Sequence, residues 1–93
     1  MVGISDVRRA REVIASHIYR APLLSARQLG ERIGATAFLK AENLQRTGSF
    51  KPRGATYAVA TMSEADRKGG IVTMSAGNAA QAIAYAGRSV GAR

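Results

Sequence analysis

Two short stretches of the sequence combine residue types that can act on a small molecule. The first, TGSFKPRGA (residues 47–55), places a single lysine, Lys51, between Phe50 and Pro52. Pro52 is tolerated in the first turn of a helix, where backbone amides lack intrahelical partners, and Ser49 can accept a backbone N–H bond as a cap. These features predict a helix that carries Lys51 in its first turn.

The position predicted for Lys51 favours its neutral amine. The partially positive end of a helix disfavours an ammonium group, and burial would act in the same direction. Only a neutral amine adds to a carbonyl, as Schiff-base chemistry requires, and Phe50 offers a face for a flat ring beside it. The spacing alone still favours a plainer interpretation, in which the ammonium of Lys51 stays in water and Phe50 lies in the core.

The second stretch, MSAGNAAQA (residues 74–82), follows a predicted strand and opens a predicted helix with Asn78 as the N-cap. Backbone N–H groups at such a helix start can hold an anion such as a carboxylate. The Asn78 amide can donate to an oxygen of a bound ring, and Gly77 lets a ligand approach the backbone. The alternative is a tight strand-to-helix turn with a capping asparagine.

Hydrophobic periodicity places both stretches between regular elements. The predicted order is a helix (5–19), an extended piece, a short helix ending at Gly34, a strand (36–42), a helix (50–62), a polar turn or helix (63–70), a buried strand (71–75) and a helix after Asn78. Such an alternation is typical of an α/β unit with a parallel sheet.

Length and composition restrict the class of protein. Ninety-three residues with 46% hydrophobic side chains allow one folded unit with a modest core. The chain has no cysteine and one histidine, His17, so no metal site is expected. The net charge of +8 would attract an anionic substrate, a cofactor or a nucleic acid, but the arginines are scattered and aromatic residues are few, which argues against nucleic acid.

The sequence also indicates where the protein works. The N-terminus lacks the apolar core of a signal peptide, and no apolar run approaches the roughly 20 residues that span a bilayer. We therefore expect a cytoplasmic protein without a membrane partner.

The pair of motifs GSFKPRGA and SAGNAAQA, in this order, resembles the threonine and serine dehydratases of the fold-type II pyridoxal-phosphate enzymes. The resemblance runs from about Ala21 to Ala86. Within that superfamily KPRGA favours a dehydratase, because threonine and cysteine synthases typically have aspartate in place of Pro52. The resemblance implies the N-terminal part of a fold-type II α/β enzyme, and residues 1–93 are expected to be an N-terminal segment of its catalytic region, incomplete at the C-terminal end.

Carried over by position, the resemblance implies pyridoxal 5′-phosphate as cofactor. Lys51 would bond to it covalently, Phe50 would flank it, and Asn78 would bond its pyridine 3′-oxygen. The substrate carboxylate would be held by Ser75, Ala76, Gly77, Asn78 and Ala79.

The implied activity is that of a threonine dehydratase, a lyase that converts L-threonine into 2-oxobutanoate and ammonia. Lys51 would remove the α-proton before the β-hydroxyl leaves. The resemblance further implies a homo-oligomer of amino-acid metabolism, such as isoleucine biosynthesis, with threonine or serine as substrate.

Three departures and two alternatives accompany this interpretation. Serine racemases of the family use a serine in place of Ala76, so racemisation is disfavoured, and many relatives have histidine in place of Ala79, which predicts a shift in substrate preference. The family's phosphate-binding loop lies downstream of the second motif and has no candidate here. A non-catalytic fragment that associates with another chain, and a small basic nucleic-acid-binding protein supported by charge alone, stay open.

Overall fold

Five helices and two short strands make up residues 1–92, the part of the chain that the computed structural model describes. Their bounds are α1 Ile4–Ile14, β1 Leu23–Ser25, α2 Arg27–Ile33, β2 Phe38–Lys40, α3 Lys51–Ala60, α4 Glu64–Gly69 and α5 Asn78–Ser89, with single 3₁₀ turns at Glu42–Leu44 and Arg46–Gly48. All seven follow the predicted order, with the extended piece appearing as β1 and the polar turn or helix as α4.

Helix α1 is shorter than predicted. It starts after Gly3, whose N–H donates to the Asp6 carboxylate at 2.9 Å, and it ends at Ile14 instead of continuing to residue 19. The backbone N–H and C=O of Tyr19 are both bonded to the side chain of Gln45, so Tyr19 is not available to extend the helix. A long-range contact has therefore overridden the helical periodicity.

The two strands form an antiparallel pair, with Leu24 opposite Leu39. Gly34 ends α2 in the left-handed conformation, with φ 68°, and returns the chain so that β2 can lie beside β1. The sheet within residues 1–92 thus differs from the parallel sheet predicted from the order of elements, because a short reversal through α2 joins its strands.

The buried strand predicted at residues 71–75 does not form. This segment has no regular secondary structure, and Val72 and Met74 are each 99% exposed. A buried parallel strand needs hydrogen-bonding neighbours and cover on both faces. Neither β1 nor β2 pairs with it, and residues 1–92 contain no other strand. The β-forming pattern is present, but residues 1–92 supply no strand that pairs with this segment.

The core lies where α3 packs against α5. Thr56 and Val59 on α3 are buried, as are Ala82, Ala86 and Gly87 on α5. The small side chains at this contact let the two helices approach closely. Helix α1 packs on α3 from another side. The two helices that follow the candidate motifs are therefore held directly against each other.

The molecule exposes more surface than a compact protein of its mass. Its accessible area is 7009 Å², against about 5200 Å² expected for a folded monomer of 9.8 kDa. Its Cα radius of gyration is 16.0 Å, against about 12 Å for a compact domain of this length. Within the described residues no helix is long and apolar enough to cross a bilayer.

Candidate active site

Lys51 is the first residue of α3, as the sequence predicted. The chain reaches it through Ser49, which is extended (φ −152°, ψ 169°), and Phe50, whose backbone is already helical (φ −72°, ψ −15°). Pro52 is buried in the first turn, where its missing N–H costs no helical bond. This local sequence fixes the start of α3 and leaves Lys51 exposed there.

Ser49 does not cap this helix, contrary to the prediction. Phe50 occupies the N-cap position, and no side chain accepts a hydrogen bond from the first turn. Ser49 lies one residue too early and is 7% exposed, and its Oγ has no hydrogen-bond partner within residues 1–92. The result is a buried hydroxyl beside the lysine-bearing turn.

The Lys51 amine and the Phe50 ring share one surface. The distance from Lys51 Nζ to the ring centroid is 5.3 Å, within the range of a cation–π contact, and Phe50 is 60% exposed. Phe50 is therefore not a core residue, and the plainer interpretation of the motif is wrong on that point. Lys51 is exposed as well, so the described residues do not bury its amine.

The second motif also contains the start of a helix, but the N-cap is not the residue that the sequence predicted. Gly77 is the N-cap of α5, Asn78 is the first helical residue, and no side chain caps the helix. The capping role predicted for Asn78 is therefore wrong by one residue. Because Asn78 is exposed and does not cap the helix, its amide is free to meet a ligand.

The loop before α5 presents polar groups at this helix start. Ser75 Oγ accepts a hydrogen bond from the Gly77 N–H at 3.2 Å, and the Ala80 N–H bonds the Gly77 carbonyl at 3.1 Å. The remaining first-turn amides have no intrahelical partner and carry partial positive charge. Residues 75–78 are exposed and Ala79 is half-buried. The arrangement can accept an anion.

An ion pair that the sequence analysis missed spans the lysine turn. Arg53 donates to both carboxylate oxygens of Glu42, at 2.9 and 2.7 Å. The hydrogen bond from Arg53 holds the pKa of Glu42 below its ordinary value, and the same bond raises the pKa of Arg53. The sequence signal that could have predicted this pair is the presence of an acidic residue, Glu42, before the Lys51 loop and a basic residue, Arg53, after it.

Gln45 was missed as well. It is 4% exposed, its Oε1 accepts from the N–H groups of Tyr19 at 2.8 Å and Arg46 at 2.9 Å, and its Nε2 donates to the Tyr19 carbonyl at 2.7 Å. The Arg46 guanidinium lies 3.9 Å from the centre of the Tyr19 ring. A buried glutamine in a polar loop gives no periodic signal, so sequence alone could not identify it.

The two motifs approach through their helices. Helix α5 packs on α3 and also contacts the Arg46–Gly48 turn that precedes Lys51. Within residues 1–92 no hydrogen bond joins the two loops, and no cluster of three His, Cys, Asp or Glu side chains offers a metal site. A groove of about 700 Å³ between α1 and α3 contains Arg53 but neither Lys51 nor Asn78.

Known proteins resemble the chain over most of its length. Residues 14–93 match the family model described as pyridoxal-phosphate dependent enzyme. An L-threo-3-hydroxyaspartate ammonia-lyase of a Pseudomonas species is 49% identical over 83 residues, which cover 89% of this chain and 26% of that relative. An L-threonine ammonia-lyase of Thermotoga maritima is 42% identical over 91 residues, which cover 98% of this chain and 23% of that relative.

Solved structures agree with this likeness. The crystal structure of serine racemase from Dictyostelium discoideum matches with a TM-score of 0.91 at 37% identity, over 99% of this chain and 30% of that chain. The chain thus spans about a quarter of the length of the two curated relatives.

Proposed function

The chain belongs to the family of pyridoxal-phosphate dependent enzymes, and we propose that it carries the lysine and the carboxylate-binding loop of an amino-acid dehydratase site. The observation that carries this proposal is Lys51 at the first residue of α3, with its amine exposed and 5.3 Å from the centre of the Phe50 ring. The proposed reaction converts L-threonine into 2-oxobutanoate and ammonia, as part of cytoplasmic amino-acid metabolism, with isoleucine biosynthesis as the proposed pathway.

The described residues fit pyridoxal phosphate at three of its groups. The exposed amine of Lys51 can bond its aldehyde carbon, the Phe50 ring can lie beside its flat ring, and the exposed amide of Asn78 can donate to its 3′-oxygen. The phosphate has no comparable candidate within residues 1–92. The glycine pair Gly69–Gly70 only ends α4, where Gly70 has φ 89°. The cofactor, when bound, withdraws the electrons left as the substrate Cα–H bond breaks.

Lys51 is proposed to act as the base. In its neutral form, Nζ takes the proton from the substrate Cα. The β-hydroxyl then leaves as water by taking up the proton that Lys51 removed, and a water molecule taken up by hydrolysis releases the amino group as ammonia. The net change removes only ammonia from threonine and leaves 2-oxobutanoate.

The start of α5 is proposed to bind the substrate carboxylate. The first-turn amides after Gly77 carry partial positive charge, and the Ser75 hydroxyl lies in the same loop. Ala79 adds only a half-buried methyl group. Residues 75–79 therefore have no ionisable side chain that could bind a second carboxylate on the substrate. That favours threonine or serine over a dicarboxylic substrate.

Racemisation is the neighbouring alternative, since one structural match is a serine racemase. Racemisation needs a group that returns a proton to the opposite face of the substrate. Ala76, in the loop before α5, has no proton to give. We therefore favour elimination by a single base.

Trapping the lysine that reacts with the cofactor tests the proposal. The chain has two other lysines, Lys40 and Lys68. Lys68 is the matched control, because it is an exposed helical lysine paired with Glu64 at 2.7 Å. After incubation with pyridoxal phosphate and borohydride reduction, peptide mass mapping should find saturable labelling at Lys51 that exceeds labelling at Lys68. Equal labelling of the two lysines would refute the proposal.

Two variants complete this experiment. When the chain is mixed with pyridoxal phosphate, a bond between the cofactor and Lys51 should give a visible absorbance band. Lys51→Arg should lose this band, while Lys68→Arg should keep it. A threonine assay for 2-oxobutanoate then tests turnover separately from binding. Labelling without turnover would retain the binding part of the proposal and reject the reaction for this chain.

A second candidate function is association with another chain, including a second copy of itself. It is favoured by the accessible area of 7009 Å² and by the unpaired segment 71–75, of which residues 72–75 are exposed. Unpaired extended segments are templates for pairing with another chain. Light scattering should show a mass above 9.8 kDa as concentration rises, and Met74→Lys should reduce it. A monomer at all concentrations would contradict this candidate.

A further inference from the structure

The lysine turn is anchored on its N-terminal side by a buried side chain. Gln45 uses Oε1 and Nε2 to bond both backbone groups of Tyr19, at 2.8 and 2.7 Å, and its Oε1 also accepts from the Arg46 N–H at 2.9 Å. Gln45 is 4% exposed while Tyr19 is 48% exposed, so these bonds are partly shielded from water. They tie the start of the turn to the segment that follows α1.

The turn is anchored on its C-terminal side by an ion pair. Arg53, two residues after Lys51, makes a two-pronged contact with Glu42, which lies before the turn. Such a fork fixes orientation as well as distance. The chain between Glu42 and Arg53 is therefore closed into a loop, and Lys51 lies inside it.

The backbone within this loop is strained. Thr47 has φ 59° and is the only residue other than glycine with positive φ among residues 1–92. A β-branched residue in this region is a genuine outlier, and it persists only where the surrounding structure holds it. Gln45 lies two residues before Thr47 and supplies such a restraint.

We propose that Gln45 and the Glu42–Arg53 pair are positioning residues that fix Lys51 at the start of α3. The inference rests on the proposed function of Lys51, and it assigns these three side chains a role through Lys51 rather than contact with the substrate. Misplacement of a reacting group by about 1 Å can cost roughly a hundredfold in rate. A flexible lysine turn would therefore weaken the proposed chemistry even if Lys51 itself were unchanged.

The Arg53 N–H is a direct reporter of this geometry. It bonds the Phe50 carbonyl at 3.1 Å, and that bond encloses Lys51 without involving the side chain of Gln45. Gln45→Met removes the polar bonds of Gln45 at similar size. Hydrogen exchange at the Arg53 amide should then accelerate roughly two- to tenfold, the net contribution of about one hydrogen bond to the stability of the turn. The Ala86 amide in α5 serves as the unaffected reference.

Lysine labelling supplies a second readout that a purely structural role would not change. The ratio of pyridoxal-phosphate labelling at Lys51 to that at Lys68 should fall toward one in Gln45→Met. Glu42→Arg and Arg53→Glu should each lower this ratio, and the double variant, which restores an ion pair of reversed polarity, should recover most of it.

The outcomes separate this inference from the proposed function. Equal labelling of Lys51 and Lys68 in the native chain rejects the proposed function, while the Arg53 amide still reports on positioning without any cofactor. Unchanged Arg53 exchange in Gln45→Met overturns the role of Gln45. If Gln45→Met also accelerates the Ala86 amide, the charge-reversal set decides. Failure of the double variant to restore the protection of the residue 53 amide, corrected for the intrinsic exchange rate of the new side chain, overturns the inference.

Discussion

Gly30 gives the sharpest test of how the chain is folded before the lysine turn. It lies in α2 and is buried, because the chain turns back over it after Gly34. The Ala35 N–H bonds the Gly30 carbonyl at 3.1 Å. A Cβ atom at position 30 would lie 2.5 Å from the Ala35 carbonyl oxygen and 3.4 Å from the Ala37 nitrogen. Gly30→Ala therefore forces backbone, rather than a flexible side chain, to move.

The size of the effect follows from two opposing terms. Overpacking of this kind costs about 1–3 kcal/mol, and we take the upper end because the obstructing atom belongs to backbone that a hydrogen bond tethers. Replacing glycine by alanine inside a helix returns about 1 kcal/mol. The expected net loss in the free energy of unfolding is about 2 kcal/mol, equivalent to a drop of about 10 °C in Tm for a chain of this length.

Gly54→Ala is the matched control. Gly54 lies in α3, and a Cβ atom added there would meet no atom within 4 Å beyond its own stretch of helix. The same chemical change should therefore stabilise the chain by about 0.5–1 kcal/mol. Urea unfolding followed by far-UV circular dichroism, with all three proteins at one concentration, measures both variants. If Gly30→Ala were as stable as Gly54→Ala, the proposed backbone obstruction at Ala35 would be refuted.

Three further predictions concern charge, capping and the core. Arg53 holds the pKa of Glu42 in the folded chain below its ordinary value. The stability that Glu42 contributes is therefore fully present at pH values above that ordinary pKa, and it is lost as the pH falls through the lowered pKa of the folded chain. In urea unfolding at a series of pH values, Glu42→Gln should reduce this loss of stability at acid pH. Ser63→Ala removes the bond from the Asp66 N–H to the cap of α4 and should cost that helix about 1 kcal/mol, measured as faster exchange of its amides. Val59→Ala should cost about 2 kcal/mol in urea unfolding, because Val59 is 2% exposed in the α3–α5 core.

Local sequence predicted the family, the fold class and the start of α3. The family is confirmed by the match over residues 14–93, and the solved relative with a TM-score of 0.91 confirms the fold class. Lys51 was placed correctly because Pro52, with its fixed φ and no N–H, is suited to the first turn of a helix. Signals of this kind act over a few residues and need no tertiary context.

The errors arose where distant residues decide. Tyr19 was assigned to a helix, but Gln45 takes both of its backbone groups. Residues 71–75 have the pattern of a strand, but a strand forms only with a neighbour, and the described residues provide none. The caps at Ser49 and Asn78 were each wrong by one residue, since the end of a helix depends on backbone angles that several residue types can adopt.

The exposure of Lys51 connects the two proposed functions. Shielding the Lys51 amine from water needs a covering surface, which the described residues do not provide. Residues 1–92 leave both Lys51 and Phe50 exposed, and the same residues leave Val72 and Met74 almost fully in water.

If association supplies that cover, labelling of Lys51 by pyridoxal phosphate should rise with protein concentration, while labelling of Lys68 stays constant. In Met74→Lys the dependence on concentration should weaken, because the added charge opposes pairing at segment 71–75. A Lys51 labelling yield that is independent of concentration, in a chain that light scattering shows to associate, would mean that the interface leaves the lysine turn uncovered and that the helix start alone sets its reactivity.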